Sequence, residues 1–231
     1  MINFKDFVKT YDVRGLVGSQ LTEDVVAAFG AAFVDELELA GEQLVIGHDM
    51  RDSSPEFASA FAEGAAKRGG NPLMLGLCST DMTYFASGKL DLPSVMFTAS
   101  HNPASYNGMK FSRAGAKGIG LDSGLGAIRD RAQQYFDSSI EELPIIGVIE
   151  EINLTRDYVE YLRKLVDLSN TRRLKIVVDA ANGMGGFTVP LVLEDAAGLP
   201  ALNLEIVPLY FELDGTFPNH EANPLQVENL R

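Results

Sequence analysis

Short apolar runs alternate along this chain with stretches whose apolar residues return at helical spacing. Val25, Val26, Phe29, Phe33 and Leu37 share one face of a predicted helix. Thr22 stands where its hydroxyl can cap that helix, and Glu23 and Asp24 fill the first turn, where negative charge suits the exposed N–H groups. Residues 43–47 read as a short strand. Ser54-Pro55-Glu56 starts a second helix with proline at its first position, and Phe57, Phe61 and Ala65 mark its buried stripe. Residues 72–77 form a predicted strand, 81–89 a short helix, 92–98 a strand and 124–136 another helix. A helix from Thr155 carries Tyr158, Leu162 and Leu165 on one side. Residues 174–179 read as a buried strand, 185–197 as a helix after a glycine-rich turn, and 204–209 as a last strand. Strands alternating with helices predict α/β layers.

Between the two halves of this pattern lies an acidic, less patterned stretch holding Asp137, Glu141, Glu142, Glu150 and Glu151. It reads as an exit strand and linker, with a boundary expected near 149–153, so that residues 1–150 form one domain and 151–231 another. At 231 residues, two cores are affordable, and 46% hydrophobic with 22% charged residues is ordinary for a globular protein. No apolar run approaches the ~18 residues that a spanning helix needs. Lys5, Asp6 and Lys9 interrupt the apolar N-terminal residues, unlike a secretion signal. The single cysteine, Cys78, has no partner for an internal disulfide, which fits a reducing cytoplasm. A net charge of −13 disfavours nucleic acid and anionic membrane as partners.

The candidate chemistry is concentrated after the predicted strand at Val95-Met96-Phe97, in Thr98-Ala99-Ser100-His101-Asn102-Pro103 and Tyr106-Asn107-Gly108-Met109-Lys110-Phe111. Asn102-Pro103 and Asn107-Gly108 are turn signals, and Gly108 to Phe111 can begin a returning strand. Ser100 is thereby expected where a strand opens into a loop, with Lys110 across the turn. A hydroxyl beside an ammonium suits covalent phosphate chemistry; a polar surface loop is the other reading of the same residues. Any phosphate site on so acidic a chain needs local cations. Arg14, Lys110, Arg113 and Lys117 are available, Arg14 and Lys110 being preferred because the other two read as a solvated hairpin face. Neighbours on an extended loop point to opposite sides, which argues against His101 as the base for Ser100 and leaves it a phosphate or substrate contact. His48, His101 and His220 show no metal-ligand spacing, and the turn at Gly183 and Gly185 departs from a dinucleotide fingerprint at Thr188.

The serine loop closely resembles that of the alpha-D-phosphohexomutases, in the phosphomannomutase/phosphoglucomutase branch. Further stretches match in order: Tyr11-Asp12-Val13-Arg14-Gly15, Gly47-His48-Asp49-Met50-Arg51-Asp52-Ser53, then Asp179 to Gly185 and Asp214 to His220. The resemblance, running from Tyr11 to the last residue, implies mixed-sheet three-layer α/β/α domains of the phosphohexomutase type, the first and most of the second of four. It implies interconversion of hexose 1-phosphate and 6-phosphate through a phosphoserine at Ser100 and a hexose 1,6-bisphosphate. Arg14 and Lys110 would stabilise the transferring phosphate and assist proton movement, while Tyr11 and His101 would line the substrate side. Mg²⁺ would bind in part through the phosphate on Ser100. Its Asp-x-Asp-x-Asp loop and the third and fourth domains are not in this sequence, so the chain reads as a truncated N-terminal part, inactive alone. Its expected partners are hexose phosphates and the missing C-terminal half, with self-association through uncovered apolar surface. The Thr98-Ala99-Ser100 form leans towards mannose and glucose phosphates. A non-catalytic sugar-phosphate binding or assembly module of the same fold is the alternative.

Overall fold

A computed structural model describes residues 2–223; residues 224–231, the end of the expected second domain, lie outside the described residues. These divide into two compact units, 2–99 with 105–152, and 100–104 with 153–223.

In the first unit, β1 (Val13–Leu16) leads to α1 (Glu23–Glu36), β2 (Gln43–His48), α2 (Ser54–Lys67), β3 (Asn71–Leu77), α3 (Thr80–Leu90) and β4 (Ser94–Phe97). Then come β5 (Tyr106–Arg113), β6 (Lys117–Gly118), α4 (Leu125–Ser138) and β7 (Glu150–Glu151). The sheet runs β1-β5-β4-β2-β3-β7, with β6 paired to β5. β4, β2, β3 and β7 are parallel, whereas β5 is antiparallel to β4, β1 and β6. The mixed-sheet α/β fold expected from the sequence is therefore present.

Local chemistry explains the helix starts. The Thr22 hydroxyl accepts from the Val25 N–H at 3.3 Å, and Pro55 occupies the first turn of α2. Alternation along the central strands sorts side chains between two faces. Leu44 and Ile46 of β2, with Val95 and Phe97 of β4, join the core formed with α1, α2 and α4. An aromatic chain runs through it: Phe33 lies 5.9 Å from Phe61 and 5.5 Å from Phe111, ring centre to ring centre. α1 and α2 cross closely because neither has a side chain at the crossing. A Cβ on Gly30 would stand 2.1 Å from the Phe61 carbonyl oxygen, and one on Gly64 2.0 Å from that of Ala27. On the α3 side, Thr83 donates to the Met96 sulfur at 3.2 Å and lies 3.3 Å from the sulfur of Cys78. Burial pushes the Cys78 thiol up to about 11.

The expected turn at Asn107-Gly108 is corrected by the structure: both residues lie inside β5. Asn107 is buried, donating to the hydroxyls of Ser53 at 2.8 Å and Ser54 at 3.0 Å. Gly108 is glycine because β1 approaches it, a Cβ there falling 2.2 Å from the Val13 carbonyl oxygen. A local turn preference gives way to sheet pairing and a buried amide.

The second unit contains α5 (Thr155–Leu165), β8 (Leu174–Asp179), α6 (Gly185–Leu193) and β9 (Leu204–Leu209), with β8 and β9 parallel. Two expectations change here. β8 is half-buried rather than buried, with Val177 61% exposed. α6 ends at Leu193, short of 197, because Glu194 leaves helical geometry and Arg163 takes up the end of the helix. Its guanidinium donates to the carbonyls of Val192 at 2.9 Å, Glu194 at 2.7 Å and Pro200 at 2.6 Å. On α5, Tyr158 and Val159 are buried while Leu165 faces solvent.

Candidate functional site

The connection between β4 and β5 carries the serine loop. Both of its ends are fixed within the first unit. The Thr98 N–H donates to the Gly108 carbonyl at 3.1 Å, and the Val17 N–H to that of Ser105 at 2.9 Å. Arg51 donates to the Tyr106 carbonyl at 3.0 Å. Arg51 is itself buried and held by Asp49, whose second oxygen accepts from the Ser54 hydroxyl at 2.7 Å and the Arg51 N–H at 3.0 Å. Burial lowers the tendency of the Arg51 guanidinium to hold its proton, with nearby Arg14 acting the same way and Asp49 opposing both. Asp49, Arg51, Ser54 and Asn107 thus form one buried polar network behind the start of β5.

Residues 100–104 form the loop itself. Ser100 is exposed and adopts φ +54°, the left-handed region that costs a non-glycine residue about 1 kcal/mol or more. The extended geometry expected here is therefore absent. Because the backbone turns at Ser100, its hydroxyl lies 3.3 Å from the His101 Nδ1. With its proton on Nε2, His101 would face the Ser100 hydroxyl as an acceptor.

Arg14 sits on β1 and Lys110 on the neighbouring β5. They share the Asp12 carboxylate, one oxygen lying 2.6 Å from Arg14 Nη2 and 3.4 Å from Lys110 Nζ. Lys110 also lines a cavity of 280 Å³, with Tyr11, Tyr84, Gly120 and Asp122 among its walls. Tyr11 is 77% exposed beside it. Burial, with the Asp12 charge adding, pushes the Tyr84 phenol up. Arg113 turns instead to the Ser123 carbonyl at 3.0 Å, and Lys117 is exposed. The structure thus brings Arg14, Lys110 and Tyr11 to one region of the first unit, and Ser100 and His101 together on their loop.

Asp12, Asp49, Arg51, Asn107 and Tyr84 join the site without a chemical role evident from the sequence. The first four lie inside the matched stretches, so their signal was present though their contacts were not. Tyr84, one residue of a short helix, carried none.

In the second unit, the ends of β8 and β9 carry another polar cluster. His220 faces Asp179 with Nε2 at 3.0 Å, and its Nδ1 lies 2.9 Å from the Glu221 carbonyl. That carbonyl, followed by the Asp179 carboxylate, raises the His220 imidazole above its ordinary value. Buried Asn182 donates to the Glu212 carbonyl at 2.9 Å and accepts from the Asn219 amide at 2.8 Å. Among the described residues no three or more His, Cys, Asp or Glu gather as a metal-binding group, so the side chains described do not by themselves fit a Mg²⁺ ion. No helix described is long and apolar enough to cross a membrane.

The sequence model for phosphoglucomutase/phosphomannomutase alpha/beta/alpha domain I matches residues 5–135, and that for domain II matches 156–231. A protein named "Phosphohexose mutases" from Xanthomonas campestris pv. campestris is 39% identical over 222 residues, 96% of this chain and 47% of its own. The phosphomannomutase/phosphoglucomutase of Pseudomonas aeruginosa is 33% identical over 96% of this chain and 45% of its own. A crystal structure of a phosphoglucomutase/phosphomannomutase family protein from Burkholderia thailandensis superposes with a TM-score of 0.81 at 33% identity. It is covered over 49% of its length, and this chain over 100%. The chain spans about half the length of the curated relatives it matches.

Proposed function

The chain belongs to the phosphoglucomutase/phosphomannomutase family, and from that premise we propose that it carries the phosphoserine of a phosphohexomutase. The reaction is the interconversion of hexose 1-phosphate and 6-phosphate through a hexose 1,6-bisphosphate. Residues 1–150 are read as the family's first domain and 151–231 as part of its second.

The observation that carries this reading is Ser100. Its hydroxyl is exposed on a left-handed corner between two sheet-anchored loop ends, beside an imidazole nitrogen. In the direction that loads the serine, the Ser100 oxygen forms a bond to the phosphorus of the bisphosphate. The bond from that phosphorus to the sugar oxygen breaks. His101 takes the Ser100 proton, and Arg14 and Lys110 offset charge on the phosphoryl group and assist proton return to the departing sugar oxygen. Tyr11, at the cavity that Lys110 lines, and His101 contact the substrate side. A Mg²⁺ ion would be held in part through the phosphate on Ser100 and would supply positive charge to offset that of the phosphoserine.

Mannose and glucose phosphates are the substrates this reading favours. A cytoplasmic location goes with it, supported by the buried free thiol of Cys78. Self-association is also proposed, supported by the exposed apolar residues Tyr161, Leu165, Val166 and Val177. A monomer by light scattering at high concentration overturns that part alone. The non-catalytic alternative is not favoured, since the matched relatives carry the names of mutases.

The test is incubation with a hexose 1,6-bisphosphate followed by intact mass and peptide mapping. One phosphate is expected on Ser100 and none in Ser100→Ala. Failure of Ser100 to take phosphate, even with the C-terminal half of a relative supplied in trans, overturns the proposal. By the same reading, the 231-residue chain alone turns over hexose phosphates negligibly.

A further inference from the structure

We propose that Asp12 is an internal anion that occupies the Arg14–Lys110 cation pair and competes with phosphate for it. The inference rests on the reading above that these two cations serve a phosphate. Its own basis is geometric. One carboxylate oxygen of Asp12 approaches both cations, at 2.6 Å from Arg14 Nη2 and 3.4 Å from Lys110 Nζ. β1 and β5 are hydrogen-bonded neighbours, with Arg14 opposite Gly108 and Val13 opposite Met109, so the sheet itself holds the two cations close. Their side chains and that of Asp12 are 15–27% exposed, which leaves them within reach of a solvent ion.

Charge count sets the direction. A single carboxylate cannot neutralise a guanidinium and an ammonium together, so the occupied pair keeps about one positive charge. A phosphate dianion brings twice the charge and more acceptor oxygens, and it can engage the Arg14 fork and Lys110 at once. Asp12 therefore holds the cations in place while the site is empty and yields them when phosphate arrives. Arg51 is not in this competition, because Asp49 already pairs with it in the buried network. Asp12 also penalises capture of free phosphate by the Arg14–Lys110 pair.

The test is calorimetric titration of the whole chain with inorganic phosphate at low ionic strength. Asp12→Asn is expected to bind on the order of tenfold more tightly than the unmodified chain, and Asp12→Glu to return towards the unmodified affinity. Adding Arg14→Gln to Asp12→Asn should remove the gain. A structural role for Asp12 would weaken binding when lost, not tighten it. Equal or weaker binding by Asp12→Asn, or no binding by either protein, overturns the inference. If Ser100 takes phosphate while Asp12→Asn shows no gain, only this inference fails. If Asp12→Asn gains affinity while Ser100 never takes phosphate, the mutase reading fails and the anion competition stands.

Discussion

In β2 and β4 of the first unit, Leu44, Val45, Ile46, Val95, Met96 and Phe97 are all sealed from solvent. In β8 of the second unit, Val177 is 61% exposed, and on α5 Leu165 is 65% exposed. The two sets of strands are written in similar apolar letters. What differs is cover: β2 and β4 have α2 and α3 packed on them, whereas β8 shows an alternating, half-open pattern. An apolar run states that a strand can be buried; only the helices packed on it decide whether it is. The strand ends of the second unit are joined by hydrogen bonds of Asn182, Asn219, Asp179 and His220.

That contrast can be broken most directly by cavity formation. Phe33→Ala, which removes a ring packed between Phe61 and Phe111, is expected to cost about 3–5 kcal/mol in denaturant unfolding. Val177→Ala in the second unit should stay within about 0.5 kcal/mol. Equal losses would erase the distinction between the units. The helix crossing sharpens it: Gly30→Ala drives a methyl towards the Phe61 carbonyl and should cost about 1–3 kcal/mol. Gly88→Ala, in open space on α3, should stabilise by about 0.5–1 kcal/mol, both read as shifts in the unfolding midpoint.

Asn182→Ala tests the polar side of the comparison. It strips a buried residue at φ +57° of two side-chain hydrogen bonds, and a loss of about 1–3 kcal/mol is expected. Faster hydrogen exchange at the Asp214 amide, which donates to the Asn182 carbonyl, should accompany it, with β2 amides unchanged. The smallest effect is the pH dependence of His220. Its folded value is raised, so its stabilisation is complete below the ordinary 6.5 and is lost as pH climbs through the folded value. The stability difference between the unmodified chain and His220→Gln should therefore shrink from pH 6 to pH 9. A constant difference would show that the Asp179 and Glu221 contacts do not depend on the imidazolium.

Helix starts were legible because their causes are local. Thr22 caps three residues ahead, and Pro55 needs only its own ring. The serine loop was legible as a motif, but its shape was not: the left-handed turn at Ser100 brought His101 to the hydroxyl that an extended loop would have kept apart. Asn107-Gly108 misled for the opposite reason. Its turn preference is real, yet Ser53 and Ser54, more than fifty residues earlier, claim the amide, and β1 claims the space beside Gly108.

Local signals along the chain settle where most helices and strands lie, the five matched stretches and the identity of the nucleophile candidate, because propensity, capping and motif spacing act over a few residues. Tertiary structure alone decided that Asp12 stands between Arg14 and Lys110, that Asp49 and Arg51 brace the return of the loop, and that β8 is half open. Each of these depends on residues brought together across long separations, 98 positions in the case of Asp12 and Lys110. Contacts of that kind exist only once the sheet has fixed the register of β1 against β5.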